Sequence, residues 1–128
     1  MSNSFVLLLC SLLAAQMASS QMIPLKSEDG LEINYKWEVG KDSEQLLLVE
    51  VNNNNDVALD FELTLYFKKG TAVVESTGLL SLCVGAGKSL KPRISGLVFD
   101  VKTPRVEIEK IELGELNILL TERKSCHL

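Results

Sequence analysis

The sequence has little of several residue types on which whole classes of function depend. Its 128 residues include one His and one Trp, and aromatic residues make up 5% of the chain. One His is too few for a multi-histidine metal site, and one Trp is too few for an aromatic sugar-binding platform. Basic residues number 13 against 17 acidic ones, for a net charge of −4. Nucleic-acid binding requires clustered basic residues, so this charge balance argues against it.

Charged residues are absent from the first twenty positions, which carry a short apolar run instead. Residues 5–15 form this run, which is shorter than the roughly 20 apolar residues needed to cross a bilayer. Small residues follow at 18–20, as a signal peptidase requires. We therefore predict a signal peptide over residues 1–20, cleaved between Ser20 and Gln21, and a secreted, extracellular mature protein. The alternative is a buried N-terminal strand or helix.

Two of the three cysteines remain after this cleavage, because Cys10 lies in the predicted signal peptide. In an oxidising compartment Cys83 and Cys126 most simply form one disulfide, which we predict. The loop-entropy model gives such a bridge, closing about 44 residues, a stabilisation of about 4 kcal/mol. The alternative is a buried thiol at Cys83 and pairing of Cys126 with another chain. A catalytic thiol has little support, since the only imidazole, His127, lies in the C-terminal tail.

Period-two alternation dominates the rest of the chain and predicts antiparallel strands. At 31–39 every odd position is apolar or aromatic and every even one is polar, which is typical of a strand with one buried face. Residues 59–67 alternate in the same way, and the Lys-Lys-Gly sequence at 68–70 predicts a hairpin turn. Further strands are predicted at 45–51, 71–75, 79–84, 97–101, 106–111 and 116–121.

Seven to nine short strands without a helical period predict an all-β fold, a small antiparallel β-sandwich of immunoglobulin-like architecture. The antibody-type order of Cys, Trp and Cys is absent, because Trp37 precedes both mature cysteines. A small β-barrel is the alternative. The expected organisation is a signal peptide at 1–20, an N-terminal segment at 21–30, one sandwich domain at 31–122 and a disulfide-tied tail at 123–128.

Residues 85–89, Gly-Ala-Gly-Lys-Ser, are similar to the end of a phosphate-binding loop. The complete motif needs another glycine five residues before Gly87, where this chain has Leu82. It also needs a helix after the loop, and Pro92 would disrupt the interior of such a helix. The segment is therefore interpreted as a glycine-rich turn, and no nucleotide cofactor is predicted.

Oxygen-bearing side chains occur together at 52–56, where four asparagines precede Asp56. One carboxylate is too few for a strong calcium site, whereas asparagine is common in turns. Paired carboxylates such as Asp60 and Glu62 lie two apart, on one solvated strand face. We therefore predict no metal site and no catalytic centre.

The remaining hypothesis is a secreted domain that works by binding, without catalysis. Function in such folds resides on loops and exposed edges, and three loops are candidates, at 40–44, 52–56 and 85–93. The candidate binding residues in them are Lys41, Asp42, Asn53, Asn54, Asp56, Lys88, Lys91 and Arg93. The expected partner is an extracellular protein, without nucleic acid or stable membrane insertion, and the role is that of an inhibitor, an adhesion protein or a matrix component. The alternative is an extracellular carrier of a small apolar ligand or lipid, and a hydrolase ranks third.

Overall fold

The structure is a computed structural model that describes residues 21–126. Eleven strands, one short α-helix and one 3-10 helix form the regular structure of these residues. The elements are β1 (Ile23–Glu28), β2 (Leu31–Val39), β3 (Gln45–Asn53), β4 (Leu59–Leu63), β5 (Leu65–Lys69), β6 (Ala72–Ser76), β7 (Leu80–Val84), β8 (Ser89–Leu90), α1 (Pro92–Ser95), β9 (Val98–Asp100), the 3-10 helix (Arg105–Glu107), β10 (Lys110–Leu113) and β11 (Asn117–Leu120).

The first layer is an antiparallel sheet with the strand order β1-β2-β3-β8, in which β9 also pairs with β3. Its centre is the hairpin of β2 and β3, which places Leu31 opposite Asn53 at one end and Val39 opposite Gln45 at the other. β8 pairs with β3 near the end of that strand, and β9 pairs near its beginning. The chain between β8 and β9, which includes α1, therefore leaves the ladder and returns to it.

The second layer consists of three long runs of chain, each broken once near its middle. The sheets β10-β5-β6 and β11-β4-β7 are both antiparallel, and only Thr64 separates β4 from β5. Across the break, the N–H of Gly114 donates to the carbonyl of Thr64 at 2.8 Å, and the N–H of Leu65 donates to Oγ1 of Thr77 at 3.1 Å. The two sheets therefore continue each other and together cover the first layer.

The core lies between the layers and is built from the residues that alternation assigns to the buried faces of the strands. Each such side chain contributes about 1.5–3 kcal/mol when it is fully buried. Trp37 packs at the margin of the core, and the centroids of the Trp37 and Phe67 rings are 6.0 Å apart. The buried residues of the contiguous core cluster are Leu31, Ile33, Leu47, Val49, Val51, Leu59, Phe61, Leu63, Leu65, Phe67, Val84, Leu97 and Val101.

The prediction of a small antiparallel β-sandwich is confirmed, and the sheets do not close into a barrel. The strand order differs from that of an immunoglobulin domain, in which strands B and C lie in different sheets. Here the second and third strands pair within one sheet. The described residues contain eleven strands because β1 and β8 add to the expected set, and the strand expected at 59–67 is split at Thr64.

Two further segments differ from the prediction. Residues 21–30, expected as a segment before the domain, contain β1, which pairs with β2 and so belongs to the first sheet. The strand expected at 106–111 begins only with β10. Pro104 has a φ of −56°, and its carbonyl accepts a hydrogen bond from the N–H of Glu107 at 2.8 Å, so the chain turns there before it extends. Val106 is consequently 87% exposed.

The predicted signal peptide at 1–20 lies outside the described residues, and so does His127. The predicted tail is described as far as Cys126. Within residues 21–126, no helix is long and apolar enough to cross a membrane.

Candidate functional site

Two of the three predicted binding loops lie together, at the end of the sandwich where β3 finishes. We name residues 52–56 the asparagine loop and residues 85–93 the glycine loop. The N–H of Gly87 donates to the carbonyl of Asn55 at 3.0 Å and joins the two loops directly. The loop at 40–44 connects β2 to β3 at the opposite end. The structure therefore does not bring all three loops into one surface.

Asn53 lies inside this end of the sandwich and is only 1% exposed. Its side-chain amide donates to the carbonyls of Val57, Val84 and Gly85 at 2.9, 3.2 and 3.0 Å. Its Oδ1 accepts from the N–H of Asn55 at 2.9 Å and from Nδ2 of the same residue at 3.0 Å. Asn53 therefore joins β3 to the asparagine loop and to the end of β7, and its side chain is not on the surface offered to a partner.

Asn54 and Asp56 are exposed and remain on the surface. Nδ2 of Asn54 donates to Oε1 of Glu32 at 3.0 Å, and its N–H donates to the carbonyl of Gly30 at 2.8 Å. Gly30 has a φ of +78°, and a Cβ there would lie 2.6 Å from Nδ2 of Asn55. The asparagine loop is thus packed tightly against the turn between β1 and β2.

The basic residues of the glycine loop are engaged largely within the protein. Lys91 lies with Nζ 3.0 Å from Oε2 of Glu50, and Arg93 with Nη2 2.7 Å from Oε2 of Glu38. Burial raises the pKa of Glu50, but hydrogen bonds, that from Lys91 foremost, outweigh burial and leave this pKa below its ordinary value. These ion pairs hold the segment around α1 against β2 and β3. Lys88 is exposed and forms no ion pair with another described residue.

Lys41 and Asp42 are exposed at the opposite end, in the turn between β2 and β3. The N–H of Asp42 donates to Oε1 of Glu44 at 2.9 Å, which closes the turn. At the same end Arg105 lies over Trp37, with its guanidinium carbon 4.5 Å from the ring centroid. Sequence reasoning did not find this cation–π contact, because the two residues belong to distant segments that only the fold brings together.

Cys83 and Cys126 form a disulfide with Cα atoms 5.8 Å apart, and this prediction is confirmed. The tail reaches β7 by crossing the end of the sheet. The N–H of Ala58 donates to the carbonyl of Arg123 at 2.7 Å, and the N–H of Ala86 donates to the carbonyl of Lys124 at 2.8 Å. The disulfide therefore fixes the tail against the outer side of the β11-β4-β7 sheet.

A surface that the sequence analysis did not select lies beside this tail, on the outer side of the same sheet. Alternate residues of the three strands project there, because the residues between them point into the core. The surface surrounds an open depression of about 500 Å³, and its apolar centre, Leu119, is 65% exposed. We name it the β11 face and define it by Asp60, Glu62, Ser81, Asn117 and Leu119.

Carboxylates dominate the charge on and around the β11 face. Oδ2 of Asp60 lies 3.7 Å from Nη2 of Arg123. Glu62 is exposed and forms no ion pair with any described residue. Glu115 and Glu122 are exposed before and after β11, again without an ion pair within residues 21–126. The surface is therefore acidic around an apolar centre.

Part of the β11 face is predictable from the sequence. Alternation predicts a strand at 116–121, and acidic residues are visibly concentrated in the C-terminal third of the chain. The position of β11 at the edge of its sheet depends on pairing with β4, more than fifty residues earlier. Local patterning does not report such a pairing, so the exposed edge was missed.

The carboxylates with perturbed pKa values are bound by structural partners. Glu75 accepts hydrogen bonds from the N–H of Lys102 at 3.0 Å and from both the N–H and Oγ1 of Thr103 at 2.7 Å. Burial raises the pKa of Glu75, but these hydrogen bonds outweigh it and the pKa lies below its ordinary value. On Glu112, hydrogen bonds from Lys110 and Lys68 lower the pKa. These groups connect segments of the fold.

Comparisons with protein-family models, with curated proteins and with solved structures found no match. Within residues 21–126, no group of three or more His, Cys, Asp or Glu residues is placed to hold a metal ion. The arrangement on the β11 face offers an apolar contact, carboxylates for charge pairing and a sheet edge for backbone hydrogen bonds. These are the elements of a binding surface.

Proposed function

We propose that this chain is a secreted, non-enzymatic binding module that acts on an extracellular protein partner. The observation that carries the proposal is the β11 face, where Leu119 is 65% exposed beside an open depression and within a group of carboxylates. A single exposed apolar residue is common on proteins. Here it coincides with a sheet edge and with an excess of carboxylates over basic groups, and this combination is typical of a recognition surface.

Two features support an extracellular location. The sequence of residues 1–20 has the pattern of a signal peptide. Cys83 and Cys126 form a disulfide, and structural disulfides persist in oxidising compartments. The bridge also holds the tail beside the β11 face, so oxidation is expected to stabilise the surface itself.

Binding is better supported than catalysis because the perturbed carboxylates, Glu50, Glu75 and Glu112, are occupied by bonds that hold the fold. A carrier has less support, because packed side chains fill the space between the layers. The depression at Leu119 lies on the outer side of a sheet and is open to solvent. We therefore place the binding site on the surface.

Affinity capture with matched surface variants tests this function. The mature, oxidised domain is immobilised and exposed to extracellular fluid from its own source. The same capture is repeated with Leu119→Lys and with Val73→Lys as a control, since Val73 is also an exposed apolar residue on an edge strand, β6, and is 50% exposed. Both variants should retain the wild-type melting temperature to within a few degrees, as expected for surface changes of about 0.5 kcal/mol.

We expect one dominant protein to be captured by the wild type and by Val73→Lys, and to be lost with Leu119→Lys. Equal capture by all three proteins would place the binding surface elsewhere. A bait that captures no protein but retains a small apolar molecule, detected by native mass spectrometry, would contradict the proposal and support a carrier.

A further inference from the structure

The free edge of β11 has backbone groups available for another strand. In its sheet β11 pairs only with β4, and no strand of residues 21–126 pairs on its other side. The N–H of Thr121 bonds the carbonyl of Ala58 at 3.1 Å. Because antiparallel backbone groups alternate in direction along a strand, the N–H and carbonyl groups of Ile118 and Leu120 point towards the free edge.

The edges of β1 and β6 carry features by which proteins block strand addition, and β11 does not. β7, at the opposite edge of the same sheet, also lacks charge and proline, and Cys83 in it is bridged to the tail. β1 contains Pro24 and Lys26, with a bulge between them, and both the residues and the bulge discourage pairing. β6 is held to the loop after β9 through the hydrogen bonds that Glu75 accepts. Residues 116–121 contain no charge and no proline. At the strand repeat, these six residues offer an edge of about 20 Å.

The charges around this edge specify the chemistry of its occupant. Glu115 precedes the uncharged segment and Glu122 follows it, while Glu62 lies opposite Asn117 on the neighbouring strand. A second copy paired antiparallel through Ile118 and Leu120 would set Glu122 opposite Leu116, so it supplies no basic residue to that carboxylate. A segment with basic residues at its ends complements both carboxylates.

We propose that the partner supplies an extended segment that adds as a strand to the free edge of β11, with an apolar or neutral centre of about five residues flanked by Lys or Arg. Its backbone bonds Ile118 and Leu120, and its outward side chains contact Leu119. Its basic ends pair with Glu115 and Glu122. This inference rests on the proposed binding function and adds the chemical class of the ligand.

Three synthetic peptides test the proposal on the intact oxidised domain. The first is Lys-Thr-Val-Thr-Val-Thr-Lys with blocked ends, the second carries Glu at both ends, and the third has Pro in place of the first Val, which would pair with Leu120. Binding is measured by fluorescence anisotropy to about 1 mM, which corresponds to about −4 kcal/mol. Amide chemical shifts identify the contacted residues, and sedimentation reports self-association.

We expect the Lys-flanked peptide to bind at least about tenfold more tightly than the Glu-flanked one, a difference of about 1.4 kcal/mol. The Pro peptide should not bind, because it cannot complete the ladder. The amide shifts should be largest at Ile118 and Leu120. The double variant Glu115→Lys and Glu122→Lys should reverse the flank preference, whereas Glu28→Lys on the β1 edge should leave it unchanged.

Several outcomes overturn the inference: no binding of the Lys peptide at about 1 mM, equal binding of all three peptides, shifts confined to residues outside β11, or dimerisation through β11. A captured protein partner that depends on Leu119 while these peptides fail would leave the binding function standing and remove only the strand-addition mode. Loss of both would remove the function as well.

Discussion

Replacement of Asn53 is expected to destabilise the fold far more than its place in a polar loop suggests. The residue is 1% exposed, and its amide supplies the donor for three carbonyls, those of Val57, Val84 and Gly85. In Asn53→Ala those carbonyls lose this donor, and the N–H of Asn55 loses its acceptor. Because the amide has two N–H groups to share among the three carbonyls, the loss is about three bonds in all. At about 0.5–1.5 kcal/mol net for each bond, this amounts to about 1.5–4.5 kcal/mol.

Chemical unfolding at pH 7 measures this loss, with Asn54→Ala as the control because Asn54 is exposed. The control should change the free energy of unfolding by no more than about 0.5 kcal/mol. In thermal unfolding, Asn53→Ala should lower the melting temperature by about 10–25 °C. A loss below about 0.5 kcal/mol in Asn53→Ala would refute the structural role assigned to this side chain.

Asn53→Asp tests the same structural role through the pH dependence of stability. Its carboxylate would face three carbonyl oxygens, so the folded protein favours the protonated acid and the pKa of the new Asp rises above its ordinary value of about 3.9. The stability of this variant, relative to wild type, should therefore fall as pH rises above about 4, by at most about 1.4 kcal/mol per pH unit. A difference from wild type that does not vary between pH 4 and 7 would contradict this reasoning.

The other predictions concern the disulfide, the acid response and the mature N-terminus. Replacing both Cys83 and Cys126 by Ala should lower the free energy of unfolding by about 2–4 kcal/mol. In the wild type without reductant, neither cysteine should react with an alkylating agent. Glu75 has a lowered folded pKa, so its stabilisation, about 1 kcal/mol, should be lost as pH falls below about 4.3. In an acid titration, the free energy of unfolding of Glu75→Gln should not show this loss. N-terminal sequencing of secreted protein should begin at Gln21.

The sandwich was predictable because its strands bury one face each, and alternation reports that directly. Residues 31–39 and 59–67 carry the pattern without interruption, and their inward side chains form much of the core. The break at Thr64 was not predictable, because the alternation continues through it. The break depends on hydrogen bonds from Gly114 and to Thr77, which lie far along the chain.

The environments of the candidate binding residues were less predictable than the fold. Asn53 lies in a run of four asparagines whose members have different environments, and nothing local distinguishes the buried one. Lys91 and Arg93 look like a free basic patch, yet each pairs with a carboxylate of the first sheet. The free edge of β11 follows from strand order alone. In each case the deciding contact joins segments that are distant in sequence.

Amide hydrogen exchange on the complex with the captured partner tests most directly whether the β11 face is the binding surface. The rates for Ile118 and Leu120 are compared between the free and the bound domain, with the loop at 40–44 as an internal reference. The account predicts that exchange slows at Ile118 and Leu120 and is unchanged in that loop. Slowing at 40–44 or in the glycine loop, with β11 unchanged, would contradict it.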